Sequence, residues 1–250
     1  MNPYNPCVFN DMKNGKQLMI TFHVDDLKVS HMDPFEIKLF ACYLSRIYGE
    51  KLVVHQGKVH DYLVINFDLY ENGKVKIYMI TLLENILESF PEGIVPTATL
   101  LAGDHLFKIR DKSEAVYLPE EQAVAFYHNM AQLLYIAPRW RIDIHTAVTF
   151  LTTRVKKLDE DEWMKLKRGL KYTKGTKHMK LTTSVDSLSM VKLWVYALYN
   201  THEYHKGHTG DMMNLGEGAV TSIPNKQKLS VNISTEGELI GADDALGKVI

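Results

Sequence analysis

Two adjacent aspartates, Asp25 and Asp26, interrupt a run that is otherwise apolar and β-branched. Residues 17–24 (QLMITFHV) have the composition of a strand, and residues 27–30 resume it. Two neighbouring charges cannot lie inside a buried strand without partners, so the pair predicts a hairpin with both carboxylates at its tip. Turns favour Asp because its carboxylate bonds the nearby backbone, which is the purely structural account of the pair. The chemical account is that two hard oxygen ligands on a rigid turn suit Mg²⁺ or Mn²⁺. Paired ions about 3.5–4 Å apart would activate an attacking hydroxyl oxygen and stabilise a leaving pyrophosphate. The two residues alone leave both accounts open.

The pattern then changes period. Asp33 as N-cap, Pro34 at the first helical position and Glu36 in capping-box spacing open a helix that Gly49 closes. Ile37, Phe40, Ala41, Leu44 and Ile47 share one face of it, and Cys42, beside that stripe, is expected in the core. Residues 52–80 return to strand composition, with Glu71-Asn72-Gly73 as a hairpin signal. A short helix over 81–90 stops at Pro91, and residues 92–118, with Pro96 and Gly103, read as an irregular crossing. Helical patterns follow over 120–136, 141–155 and 159–175. The last opens on four acids at the positive end of the helix dipole, with Trp163, Leu166 and Leu170 as its apolar stripe. Lys167, Lys171 and Lys174 line another face, either as a solvated surface or as phosphate contacts. Strands are expected at 179–185, 190–199, 209–215, 218–223 and 228–233. A terminal helix is expected from Ser234-Thr235, packing through Leu239, Ala242 and Leu246. His202, His205 and His208 fit no zinc spacing and read as surface residues. The fold class is α+β, in three segments: 1–97, 98–177 and 178–250.

Charge narrows the partners. Across 250 residues, 29 Lys and Arg balance 30 Asp and Glu, a formal net charge of −1, which excludes a generally cationic nucleic-acid coat but allows a local basic face. Two cysteines cannot staple a fold of this length, so a reducing compartment is expected. With no apolar leader and no run of about 18 apolar residues, the expected location is intracellular and cytoplasmic, with no membrane partner.

The segment Phe22-His23-Val24-Asp25-Asp26-Leu27 resembles the Tyr-x-Asp-Asp box of reverse transcriptases, and its surroundings resemble the copia-type retrotransposon polyprotein. Asn5-Pro6-Cys7-Val8-Phe9 is similar to the strand before the box, and Asp61-Tyr62-Leu63 to the primer-grip hairpin. Gln132-Leu133-Leu134-Tyr135 with Arg141-Ile142-Asp143-Ile144 resembles the thumb motif, and Trp163 through Lys171-Tyr172-Thr173-Lys174-Gly175-Thr176 the segment after it. His208-Thr209-Gly210, Lys226-Gln227-Lys228 and Ser234-Thr235-Glu236-Gly237-Glu238-Leu239 resemble the ribonuclease H part that follows. These matches run in unbroken order over nearly the whole chain.

The resemblance implies a late palm with its primer-grip hairpin over 1–97, a helical thumb over 98–177 and a truncated ribonuclease H-like domain over 178–250. It implies an RNA-directed DNA polymerase fragment using Mg²⁺ or Mn²⁺ held by Asp25 and Asp26, inactive in isolation. Its partners would be an RNA or DNA template–primer and deoxynucleotides, with His23, Tyr62, Lys167, Lys171 and Lys174 at the nucleic acid. A virus-like particle or the nucleus would be further locations. The family's third palm carboxylate and its fingers would lie upstream of Met1, making other parts of the polyprotein partners as well. His23 stands where the family has Tyr, and Val64 where its primer grip has Gly. In the ribonuclease H part Glu238 matches one metal ligand, but Tyr196 stands at the first aspartate, so that site is expected to be inactive. A non-catalytic nucleic-acid-binding remnant, or a decayed reading frame, is the alternative.

Overall fold

Period-2 and period-3.6 stretches separate into ten strands and six α-helices in a computed structural model, which describes residues 2–97, 105–111, 113–156 and 158–247. The chain is mixed α+β with antiparallel pairing, and no helix among the described residues is long and apolar enough to cross a membrane. It divides into two compact units, Met1–Asp68 and Leu69–Ile250. The divisions expected near 97 and 177 therefore fall inside the second unit. Gly103, expected in the irregular crossing, lies outside the described residues.

In the first unit, β1 (Val8–Lys13), β2 (Lys16–His23) and β3 (Asp26–Ser30) form an antiparallel meander. Asn14 and Gly15, both left-handed, join β1 to β2, an Asn-Gly turn that the sequence reading passed over. Helix α1 (Pro34–Tyr48) follows, and the Asp33 carboxylate caps it by accepting from the Phe35 N–H at 2.9 Å. The expected capping box does not close. Glu36 instead accepts from the Asn14 side chain, 2.7 Å. The apolar stripe of α1 is only half covered, Ile47 is exposed, and Cys42, expected in the core, is exposed too. Strands β4 (Val59–Tyr62) and β5 (Ile65–Leu69) form a tight hairpin over Leu63 and Val64. Leu18 is the only buried residue among the described residues of this unit.

The second unit holds the core. The Asn72-Gly73 turn forms with both residues left-handed, and the Tyr70 N–H donates to the Lys74 carbonyl at 2.8 Å. Strand β6 (Val75–Tyr78) pairs with β7 (Leu181–Thr183). Helices α2 (Ile80–Ser89), α3 (Glu120–Ile136), α4 (Ile142–Thr152) and α5 (Glu160–Gly175) pack on one another around Ile86, Phe126, Met130, Ile144, Phe150 and Leu166.

Two of the sequence motifs prove to be one tertiary lock. The fully buried Arg141 guanidinium donates to Asp143 at 2.9 and 2.7 Å and to Thr176 Oγ1 at 2.8 Å, and it lies 5.3 Å from the Tyr172 ring centroid. It thereby ties the start of α4 to the end of α5. Gly175 is required there, because a Cβ would stand 2.1 Å from the Thr97 carbonyl oxygen.

Beyond α5, β8 (Lys192–His202), β9 (Lys206–Asn214) and β10 (Asn225–Ser230) form a sheet in the order β10-β9-β8. Residues 218–223, expected as a strand, make only a single bridge, Thr221 to Met213. Helix α6 (Ser234–Leu246) packs on this sheet, but through Gly237, Gly241 and Ala245. The expected Leu239 and Leu246 are exposed. Glycines let the backbone approach closely: a Cβ at Gly241 would lie 3.2 Å from that of Ala197.

Candidate functional site

The DD hairpin takes the geometry its pattern predicts. His23 pairs with Asp26 as the last rung of β2–β3, leaving Val24 and Asp25 as a two-residue turn. Val24 has φ 55°, a left-handed conformation that disfavours a β-branched side chain, and its side chain is exposed. Local strain of this kind persists only where surrounding structure imposes it. Both aspartates and His23 are exposed. Neither carboxylate has a hydrogen-bond or ion-pair partner among the described residues, which leaves their oxygens open to a hard cation.

The β4–β5 hairpin lies close by within the same unit. Burial and then the negative charge of Asp26 raise the Tyr62 phenol above its ordinary pKa, with Cys7 adding to the effect. The Tyr62 hydroxyl is itself buried without a partner. Lys28, on β3, has its ammonium 5.3 Å from the Phe67 ring centroid, and burial lowers its pKa. The structure therefore gathers Asp26, His23 and Tyr62 into one region. Leu63 and Val64 at the hairpin turn have φ 54° and 65°, so Val64 occupies the backbone conformation that glycine accepts without cost.

No third His, Cys, Asp or Glu joins Asp25 and Asp26 in a convergent ligand set among the described residues. The convergent set that does occur is Asp159, Asp161 and Glu162, all buried, and sequence reading treated these as helix-dipole acids only. Its oxygens are already engaged. Asp159 accepts from the Asp161 and Glu162 amides at 2.8 and 3.3 Å, and Glu162 returns the capping-box bond to the Asp159 N–H at 3.1 Å. Asp161 meets Lys165 at 2.6 Å and His105 at 2.9 Å, and Glu162 meets Arg154 at 3.2 Å. Burial and the adjacent Asp159 raise the Glu162 pKa; burial pushes Asp159 the same way, but its hydrogen bonds prevail and keep it low. A closed cap network explains this cluster without a metal.

The basic helix face is largely committed within the chain. Glu92 accepts from Trp163 Nε1 at 2.7 Å and pairs with Lys167, whose charge, with that of Lys171 nearby, contributes to holding the carboxyl below its ordinary pKa. Lys174 donates to the Ile94 carbonyl at 2.9 Å, and the Lys171 carbonyl accepts from the Thr97 N–H at 3.0 Å. Residues 92–97 thus lie as a strap along α5.

The two residues read as a degenerate ribonuclease H site are apart. Tyr196 pairs with Gly210, whose missing side chain would point at Thr146 of α4, 3.3 Å away. Ala197 and Thr209 face α6 instead. Tyr196 and Glu238 therefore belong to opposite sides of the sheet, and both are exposed. The histidine expectation needs correcting as well. His205 is exposed, but His202 and His208 are buried, because the β8–β9 turn folds them inward against Phe150. No family model, no curated protein and no solved structure matches this chain.

Proposed function

We propose that the chain is a piece of a copia-type retrotransposon reverse transcriptase, contributing two palm carboxylates to templated nucleotidyl transfer and inactive on its own. The observation that carries this reading is the Asp25-Asp26 tip: two unpartnered carboxylates on a strained two-residue hairpin, beside the Tyr62 hairpin. Asp25 and Asp26 would hold the divalent ion, and unpaired exposed oxygens fit Mg²⁺ or Mn²⁺. Such an ion, when bound, supplies charge stabilisation for the attacking oxygen and the leaving pyrophosphate. Tyr62 and the exposed His23 would flank a primer end, and the buried, unpartnered Tyr62 hydroxyl would have to be uncovered to donate to it. Lys171 is the member of the α5 series whose ammonium is best placed to meet a phosphate backbone, since Lys167 and Lys174 hold the strap.

Two carboxylates complete only part of a two-metal site, which is why activity needs a further palm segment. The test is primer extension on an RNA template with Mg²⁺ or Mn²⁺. The chain alone should give no incorporation. Fused behind a copia-type segment carrying the fingers and the third aspartate, it should extend the primer, and Asp26→Asn should abolish that. A folded fusion that stays inactive, or one indifferent to Asp26→Asn, would overturn the reading. A ribonuclease H role has less support, with Tyr196 and Glu238 on opposite sides of the sheet. The chain and Tyr196→Asp should both leave an RNA–DNA hybrid uncut.

A further inference from the structure

A histidine pair that the polymerase reading does not use lies where the C-terminal sheet meets helix α4. His202 ends β8 and His208 sits on β9, both buried, with Nε2 of the first 3.0 Å from Nδ1 of the second. His208 Nε2 lies 3.2 Å from Thr149 Oγ1 on α4. The Thr149 hydroxyl proton is directed to the His145 and Thr146 carbonyls, each at 3.0 Å, so Thr149 accepts from His208. That assigns the tautomers by elimination. His208 carries its proton on Nε2, and its bare Nδ1 accepts from His202 Nε2–H. Both rings pack on Phe150, at 5.2 and 6.1 Å between centroids, and Phe107 lies 6.3 Å from His208.

A second proton is costly in this pocket. On His208 it would place a charge against Phe150 and Phe107 and force His202 to move its own proton to Nδ1 so that Nε2 could accept. On His202 it would add charge among cations. Lys226 pairs with His208 across β10–β9, Arg154 follows α4, and Lys165 of α5 stands 6.0 Å from the Phe150 ring centroid. Arg154 and Lys165 are engaged by Glu162 and Asp161. On α4, His145 opposes a charge on His208; Asp211 on β9 acts on His145, whose Nδ1 lies 3.3 Å from Ser222 Oγ. Glu203 lies in the exposed turn between the two strands.

We propose that His202 and His208 form a proton-operated latch: neutral, they hold the β8–β9–β10 sheet and α6 onto α4, and protonation releases that sheet while α2, α3 and α5 stay folded. Burial, with the neighbouring positive groups, holds His202 down to about 3 and His208 to about 4. Once released, both rings return towards the ordinary value of 6.5. The released form therefore binds more protons as pH falls through 6.5, and acid favours it. For two such groups its population rises about 100-fold between pH 7.5 and 5.5.

Hydrogen exchange of the full chain, read by mass spectrometry and corrected for intrinsic rates, tests this. Protection over residues 192–214 and 225–246 should fall at least about 100-fold from pH 7.5 to 5.5, while α3 and α5 keep theirs. His145 of α4, held to about 4 by burial and bonded to Ser222, adds its own roughly tenfold when the sheet leaves, so the double variant His202→Gln/His208→Gln should cut the slope to about tenfold. Should the variant fail to fold, the ring NMR signals of the unmodified chain decide, and they should show both rings still neutral at pH 5.5 in the closed form. Unchanged protection, loss shared equally with α3 and α5, an undiminished slope in the variant, or rings titrating near 6.5 in the closed form would each overturn the latch.

Discussion

The two compact units use similar elements to opposite effect. Met1–Asp68 contains a meander, a well-capped helix and a tight hairpin, yet Leu18 alone is buried among its described residues. Leu69–Ile250 buries Phe126, Ile86, Ile136 and Leu170 completely and encloses a charged lock around Arg141. Local signals suffice for elements, but stability comes from a second layer that covers their apolar faces. In the first unit Phe35, Tyr43, Ile47 and Tyr48 of α1 remain exposed, so that layer is not supplied by its own residues. The unpartnered carboxylates belong to this open unit, while every acid of the Asp159 network is satisfied within the closed one. Open carboxylates and a closed core are thus divided between the two.

The largest effect expected from breaking this contrast is at Arg141. Arg141→Ala removes three hydrogen bonds and leaves a cavity at the α4–α5 junction, and should lower the stability of the second unit by about 3–5 kcal/mol. Urea unfolding followed by Trp140 and Trp163 fluorescence measures it. Truncation of core against stripe comes next. Phe126→Ala should cost about 3–5 kcal/mol, whereas Phe40→Ala on the half-covered α1 stripe should cost well under half of that. Equal losses would show that the first unit has a core after all.

The caps make a smaller comparison. Asp159→Ala removes a closed capping box and should cost about 1–2 kcal/mol, against about 0.5–1 for Asp33→Ala, whose box is open. The smallest effect is at the turn of the β4–β5 hairpin. Val64→Gly relieves a left-handed β-branched residue at a cost in chain entropy, and should raise the stability of the first unit by no more than about 1 kcal/mol. Hydrogen exchange of β4 and β5 reads it.

Most elements were legible because their signals are local. Pro34 after Asp33, the strand composition broken by Asp25, and the acids ahead of Trp163 each act within a few residues, and all three produce the expected element. Tertiary choices were not legible. Glu36 sits in capping-box spacing, but Asn14, twenty-two residues back, captures it. The leucines of α6 look like a packing stripe, yet the sheet selects the glycine stripe because it permits closer approach. His202 and His208 read as polar turn residues because nothing in HEYHKGH shows that Phe150 and Thr149 will close over them. For the site, the tip geometry was legible. The strap that occupies Lys167 and Lys174 was not, since it depends on Glu92 and Ile94 about eighty residues away.

The two units differ most sharply in which of their acids are open to a divalent ion. Paramagnetic broadening of backbone NMR signals by sub-stoichiometric Mn²⁺ asks this of the intact protein without requiring catalysis. Broadening centred on residues 23–28, with the neighbouring Tyr62 affected and the signal lost in Asp25→Asn/Asp26→Asn, is the predicted result. Broadening centred on residues 159–162, or a pattern that survives the double substitution, would contradict it.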